Sequence, residues 1–224
     1  MKIAGIDPSI KCTAVVTADL DDKFDIVSLK LQAYNPTLKR CFNEGIIDVR
    51  HTGPGYAGKY LYEREDIAWA NVSEFISGCE HVGIEDFAYD AKGNSSSIFQ
   101  LAEHIGFIRK GIFDLRIPMY RYSPISIKKF GSDNPHADKI IMTRAFRNRY
   151  PEYCPEWFCE FVSSHSESDP IGDISDAFWM MEALRLSLKH KAGHPIPKWA
   201  SANLMKSASK NTTALIDIIP EIKK

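Results

Sequence analysis

Apolar and polar positions along this chain follow two different periods, and the changes between them mark out the elements. Ile3, Ala4, Gly5 and Ile6 form an apolar run of strand length, closed by Asp7 and Pro8. Because proline cannot continue a central ladder, Asp7 falls where the strand leaves the core, or simply ends it in a turn. Residues 12–18 (CTAVVTA) and 24–32 (FDIVSLKLQ) alternate around a polar turn, which predicts three antiparallel strands in succession. Residues 35–58 include the breakers of TGPGYAG and read as an insertion or loop. The period then lengthens: Leu61, Ile67, Ala68, Val72, Phe75 and Ile76 have helical spacing, and Gly78 ends that helix. Residues 81–89 (HVGIEDFAY) form a fourth strand that reaches Glu85 at its close. Asn94 and Ser95 to Ser97 offer caps for a helix with the stripe Ile98, Leu101, Ala102, Ile105, Ile108 and Ile112. Met119 to Ser123 is a fifth strand; residues 126–131 lead through a polar loop to a helix over 137–149. Residues 150–168 are aromatic, proline-broken and irregular. Asp169-Pro170 then opens a last long helix, to about Lys191, with Ile174, Ala177, Phe178, Met181, Leu184 and Leu188 on one face.

This pattern predicts one domain over residues 1–190 and an extension, 191–224, that packs loosely or is partly disordered. With 224 residues, 44% hydrophobic and 25% charged, the chain suits a soluble globular protein with one good-sized core. It has no run of about 18 apolar residues and no signal-like start, so a cytoplasmic protein without a membrane partner is expected. Five scattered cysteines, Cys12, Cys41, Cys79, Cys154 and Cys159, suit reduced packing thiols; a zinc site joining Cys154, Cys159 and His165 is the alternative. Net charge is only −1, yet residues 109–149 carry ten basic and three acidic side chains. Such a segment is either a face for an anionic partner or a set of solvated helix faces.

The candidate chemistry lies in four acids. Asp173 and Asp176 are three residues apart, on one face of the last helix, where their repulsion exceeds what a cap needs. The helix dipole offsets one of these charges, and a divalent cation would offset the rest. Mg²⁺ takes oxygen ligands from separate elements and keeps several waters. If the first and fourth strands are neighbours, Asp7 and Glu85 converge with Asp173 and Asp176.

That order of elements, with acids at those places, resembles the ribonuclease H-like superfamily. Within it the chain looks most like the RuvC-type Holliday junction resolvases, in the extended form of the phage and viral branch. The carrying residues are Gly5-Ile6-Asp7-Pro8-Ser9, Ile84-Glu85 and Asp173-Ile174-Ser175-Asp176-Ala177. Tyr122-Ser123-Pro124, Lys128-Lys129, Gly131 and Ala137-Asp138-Lys139 add to them. The resemblance covers residues 1 to about 190. It implies an α/β fold with a ribonuclease H-like mixed sheet of five strands, the first three antiparallel, flanked by helices.

The resemblance also implies a homodimeric endodeoxyribonuclease that acts on four-way junctions and other branched DNA and leaves 5′-phosphate and 3′-hydroxyl ends. Asp7, Glu85, Asp173 and Asp176 would hold two Mg²⁺ ions, with Mn²⁺ able to substitute. Lys128, Lys129 and Lys139 would meet phosphates, Lys139 acting within the catalytic group; either of the first two could face the DNA. The family's aromatic wedge would fall to Phe87 or Tyr89, which flank the expected position, Ala88. His165 and Asp169 are further candidate ligands, and the helix from Ile98 to Phe113 is the candidate dimer face. Two other classes remain open: an ATP-binding domain of the actin or sugar-kinase kind, which needs glycine-rich phosphate loops not visible here, and a module that binds branched DNA without cutting.

Overall fold

The computed structural model describes residues 1–35, 42–51, 61–86, 95–154, 170–207, 209 and 213–218. Among them, seven strands make one mixed sheet: β1 (Lys2–Pro8), β2 (Thr13–Leu20), β3 (Ile26–Asn35), β4 (Phe42–Glu44), β5 (Ile47–His51), β6 (His81–Glu85) and β7 (Met119–Tyr122). Their order is β4-β5-β3-β2-β1-β6-β7. β1, β2 and β3 pair antiparallel, as their alternating patterns and short turns predict, while β6 lies parallel to β1 and β7 parallel to β6. The helices are α1 (Leu61–Phe75), α2 (Ser95–Asp114), α3 (Pro124–Ser132), α4 (Lys139–Arg149), α5 (Pro170–Lys191), α6 (Lys198–Leu204) and α7 (Leu215–Ile218). No helix among the described residues is long and apolar enough to cross a membrane.

The sheet has two strands more than the five expected. Both lie in the stretch read as an insertion: Gly45, at φ 60°, allows a tight reversal between β4 and β5, and Ile47 and Val49 bury alternate positions of β5 beside β3. The breakers at residues 52–58 lie outside the described residues. Residues 126–131 are helical rather than loop, because Pro124 at the start of α3 fixes the first helical φ and Ile127 and Phe130 bury one face.

Alternation along β1 divides the molecule. Ala4 and Ile6 join Val82 and Ile84 of β6 in a core against α1 and α2, with Phe75, Ile108 and Ile112. Ile3 enters the opposite and larger core, which is built around α5. Gly5 shares that face, and its missing side chain is what lets α5 close in. A Cβ there would stand 2.2 Å from the Ala177 carbonyl oxygen and 2.3 Å from the Met181 nitrogen. Asp7, two residues further, faces the same helix.

Helix α5 is buried on nearly every side, well beyond the predicted stripe, since Trp179, Met180, Ala183 and Leu186 are also inside. It is sandwiched between the sheet and a cover of α3, α4 and α6. Within residues 191–224, read as an extension, α6 has Ala200 and Leu204 fully buried. Its Trp199 ring lies 5.4 Å from Phe130 and 6.2 Å from Trp179, and the Arg149 guanidinium stands 4.2 Å from its centre.

Candidate metal centre and nucleic-acid face

Parallel pairing of β1 with β6 matches Ile6 to Ile84, so one step further Asp7 and Glu85 stand at neighbouring strand ends, about 5 Å apart in backbone spacing. Both point to the α5 side, because the residues between them and Gly5 or Gly83 bury in the other core. The close approach of α5 at Gly5 puts Asp173 and Asp176, one helical turn or less above Ala177, over the same end of the sheet. Asp7 is 6% exposed and Asp173 2%.

Electrostatics link the four acids. Burial, then the charges of Glu85, Asp173 and Asp176, raise the Asp7 carboxyl well above its ordinary value against the pull of Lys139. Burial and Asp176 push Glu85 up to about 7. Burial and Asp173 push Asp176 up to about 7, and the buried Oδ1 of Asp176 accepts no hydrogen bond. Asp173 is raised by burial, although Lys139 and hydrogen bonds with Cys12 and Asp7 work to lower it.

Lys139 opens α4, whose N-terminus is capped by the Asp138 side chain accepting from the Ile141 N–H at 2.8 Å. Its Nζ donates to Asp173 Oδ1. The stem reaches that far because position 172 is glycine; a Cβ there would lie 2.7 Å from Lys139 Cδ. Burial pulls the Lys139 ammonium down, but Asp173 and Asp7 outweigh it and hold the pKa above the usual lysine value. Lys128 and Lys129, adjacent on α3, go separate ways. The charge of Lys128 acts on Glu85 and Asp176, whereas Lys129 Nζ donates to the Ser207 carbonyl at 3.0 Å.

Three groups of residues around the site escape sequence reading. Cys12 is buried against Asp173, and burial with that carboxylate raises its thiol. Behind the β1–β2 turn, Thr13 Oγ1 donates to the Ser9 carbonyl at 3.0 Å and meets His104 Nε2 at 3.0 Å; His104 Nδ1 meets Glu65 Oε2 at 2.5 Å. All three side chains are buried, so they pin the turn that follows Asp7. The available signal was a histidine on the apolar stripe of α2, between Leu101 and Ile105. Beyond the end of β6, Arg109 Nη2 donates to the Glu85 carbonyl at 2.9 Å and to Asp86 at 2.8 Å, fixing the exit of that strand.

Phe87, Tyr89, Cys41, Cys159, His165 and Asp169 lie outside the described residues, so the wedge, the zinc alternative and the two additional ligands have no structural account here. The four acids form an all-oxygen donor set suited to Mg²⁺, and the orphaned Asp176 Oδ1 is a spare acceptor such a cation could use. Among the described residues, no three His, Cys, Asp or Glu side chains already close on one point as a cation cage.

No family model matches the sequence, and no curated protein matches it. Among solved structures, the chain is similar to Thermus thermophilus RuvC in complex with Holliday junction substrate. The identity is 17%, with a TM-score of 0.51 over 83% of this chain and 96% of that one. It also matches a Thermus thermophilus RuvC structure at 19% identity, with a TM-score of 0.49 over 86% of this chain and 97% of that one. This chain has the RuvC fold. Nearly the whole of that RuvC chain is spanned. The RuvC fold reached from the motifs and that reached from the coordinates agree.

Proposed function

We propose that this chain is a Mg²⁺-dependent, structure-selective DNA endonuclease that resolves four-way junctions and acts on related branched DNA. The observation that carries the reading is the convergence of Asp7, Glu85, Asp173 and Asp176 from two strands and a helix, with raised carboxyl pKa values and Lys139 against them. A protein keeps four crowded acids together, two of them buried, where a positive partner is expected, and one lysine supplies a single charge. These four residues would hold two Mg²⁺ ions, which supply Lewis-acid activation of the attacking water and stabilisation of the leaving oxygen.

The chain's own residues do the rest. Asp7, at the centre of the charge network, orients the acids on either side of it. Lys139 and Lys128 hold positive charge beside the carboxylates and would meet phosphate oxygens. Hydrolysis adds water across one P–O bond, the 3′ oxygen leaving with a proton and the 5′ side keeping the phosphate. The products are ends that a ligase can seal.

Two cuts across a junction need two sites, and a two-fold dimer provides them. Helix α2 offers a face for it: Phe99 and Phe113 are 70% and 72% exposed, and exposed Gly106 lies midway on the same stripe, at steps of seven residues. Phe113→Asp should convert a sedimenting dimer to monomer without lowering thermal stability. A wild-type protein that sediments as a monomer at working concentration would remove this part of the proposal.

The test of the whole is incubation of the purified protein with labelled four-way junction, flap, fork and linear duplex, in Mg²⁺ or chelator, beside Asp7→Asn. Cutting of branched substrates by the wild type in Mg²⁺ alone, and binding without cutting by Asp7→Asn, is the expected result. Tight junction binding with every substrate intact in Mg²⁺ would replace the nuclease with a non-cleaving binding module. ATP turnover without DNA binding would replace it with the kinase-like class.

A further inference from the structure

Helix α3 stands between the carboxylate centre and the C-terminal segment. Lys128 on one side of it acts on Glu85 and Asp176, and Lys129 on the other reaches the Ser207 carbonyl. Asn203 of α6 donates to Asp133 at the C-terminal cap of α3 at 2.5 Å, and Trp199 lies against Phe130 and Arg149. With Ala200 and Leu204 buried beneath it and Leu215 of α7 buried in the same core, the segment is a fixed wall alongside α3.

The sequence there is one-sided in charge: no acidic residue occurs between Glu182 and Asp217, while the same stretch carries Arg185, Lys189, Lys191, Lys198, Lys206 and Lys210. Arg185 and Lys189 are engaged with Glu182 and Asp25. Lys198 at the start of α6 and Lys206 just past its end are both exposed. Lys206 adjoins Ser207, whose carbonyl accepts from Lys129 at 3.0 Å. A helix of seven residues separates the two exposed lysines by roughly 10 Å, the scale of one to two phosphate steps along a strand. Both ends of the wall can therefore meet one backbone.

We infer that the C-terminal segment is a second DNA-contacting surface, in which Lys198 and Lys206 take the sugar–phosphate backbone of a duplex arm leading away from the carboxylate centre. The inference rests on the nuclease reading for its choice of polyanion, and it assigns to the extension a role in holding the substrate rather than in cutting it. Contacts of this kind are made to phosphates and carry no base preference.

Binding to a labelled four-way junction, measured in chelator across a series of salt concentrations, tests it. Lys198→Ala and Lys206→Ala should each weaken binding on the order of tenfold at 0.1 M salt and lower the slope of log affinity against log salt by about 1. Lys206→Arg, which keeps the charge, should retain wild-type affinity and slope. Lys23→Ala, on the β2–β3 turn at the opposite end of the sheet, should change neither. Unchanged melting temperatures for all four variants establish that they are folded. Wild-type affinity and slope in both alanine variants would overturn the inference and leave the nuclease reading standing. A wild type that neither binds nor cuts branched DNA would overturn both.

Discussion

Helix α5 carries two groups of acids, and they are treated in opposite ways. Near its start, Asp173 and Asp176 crowd Asp7 and Glu85 with one lysine in direct contact, and Asp176 Oδ1 is buried without a partner. About 9 Å further along the axis, Glu182 is 0% exposed yet fully answered. Arg185 donates to its two oxygens at 2.6 and 2.7 Å, Tyr150 donates its hydroxyl to the same carboxylate, and Arg185 Nη1 donates to the Phe24 carbonyl at 2.7 Å. Burial is the same in kind at both ends, so burial alone does not mark the site. What marks it is negative charge left uncompensated, and pKa values raised as a result.

The comparison is broken most severely by removing one charge from each cluster. Asp7→Asn should reduce cutting by about a thousandfold or more, because several kcal/mol of metal-derived stabilisation go with it. The same substitution should raise the melting temperature of the metal-free protein, since one repelling charge is gone. Junction cleavage and thermal melting on the same preparations check both. A variant that still cuts at a tenth of the wild-type rate would show that Asp7 is not among the residues the chemistry depends on.

At the other end of α5 the signs reverse. Arg185→Met leaves Glu182 buried without its cation and should destabilise the fold by about 3–5 kcal/mol. Adding Glu182→Leu should recover most of that loss, because a buried pair replaced by apolar side chains of similar size is close to neutral. Chemical denaturation of the single and double variants measures it. A double variant no more stable than Arg185→Met would mean that the pair itself, and not the orphaned charge, sets the cost.

Much of the first cluster was legible in the sequence, and almost none of the second. Asp7 and Glu85 stand out because each breaks an apolar strand at its end, and Asp173-x-x-Asp176 because two acids one turn apart on an apolar helix need a reason. Their convergence followed from the pairing of β1 with β6, which the order of strands and helices suggested. Glu182 and Arg185 also stand three apart, but a Glu-Arg pair at that spacing reads as an ordinary surface ion pair; only the all-round burial of α5 makes it internal. Thr13, His104 and Glu65 come from three distant elements, and no spacing links them. Strands β4 and β5 were hidden by their shortness beside a glycine-proline loop. The packing of α6 was hidden by a polar composition in which Trp199, Ala200 and Leu204 are the only inward set.

The smallest effect sharpens the comparison through pH. Glu85 and Asp176 have ordinary carboxyl values of 4.5 and 3.8 when unfolded and about 7 in the fold, so between about pH 4 and pH 7 the folded protein holds protons that the unfolded chain has released. Stability is then fully present below the unfolded values and falls as pH rises through the folded ones. Metal-free protein should therefore melt at a lower temperature at pH 8 than at pH 5.5, and each kcal/mol of this difference should appear as about 2–4 °C in a chain of this size. Asp176→Asn should flatten the dependence by removing one of the raised carboxyls, and Arg185→Met should lower the whole curve. Mg²⁺ at pH 8 should restore the wild-type melting temperature, because the cation takes over the role of the protons. Melting temperatures of wild type and Asp176→Asn that run parallel from pH 5.5 to 8 in chelator would show that the acids at the start of α5 are as well compensated as Glu182.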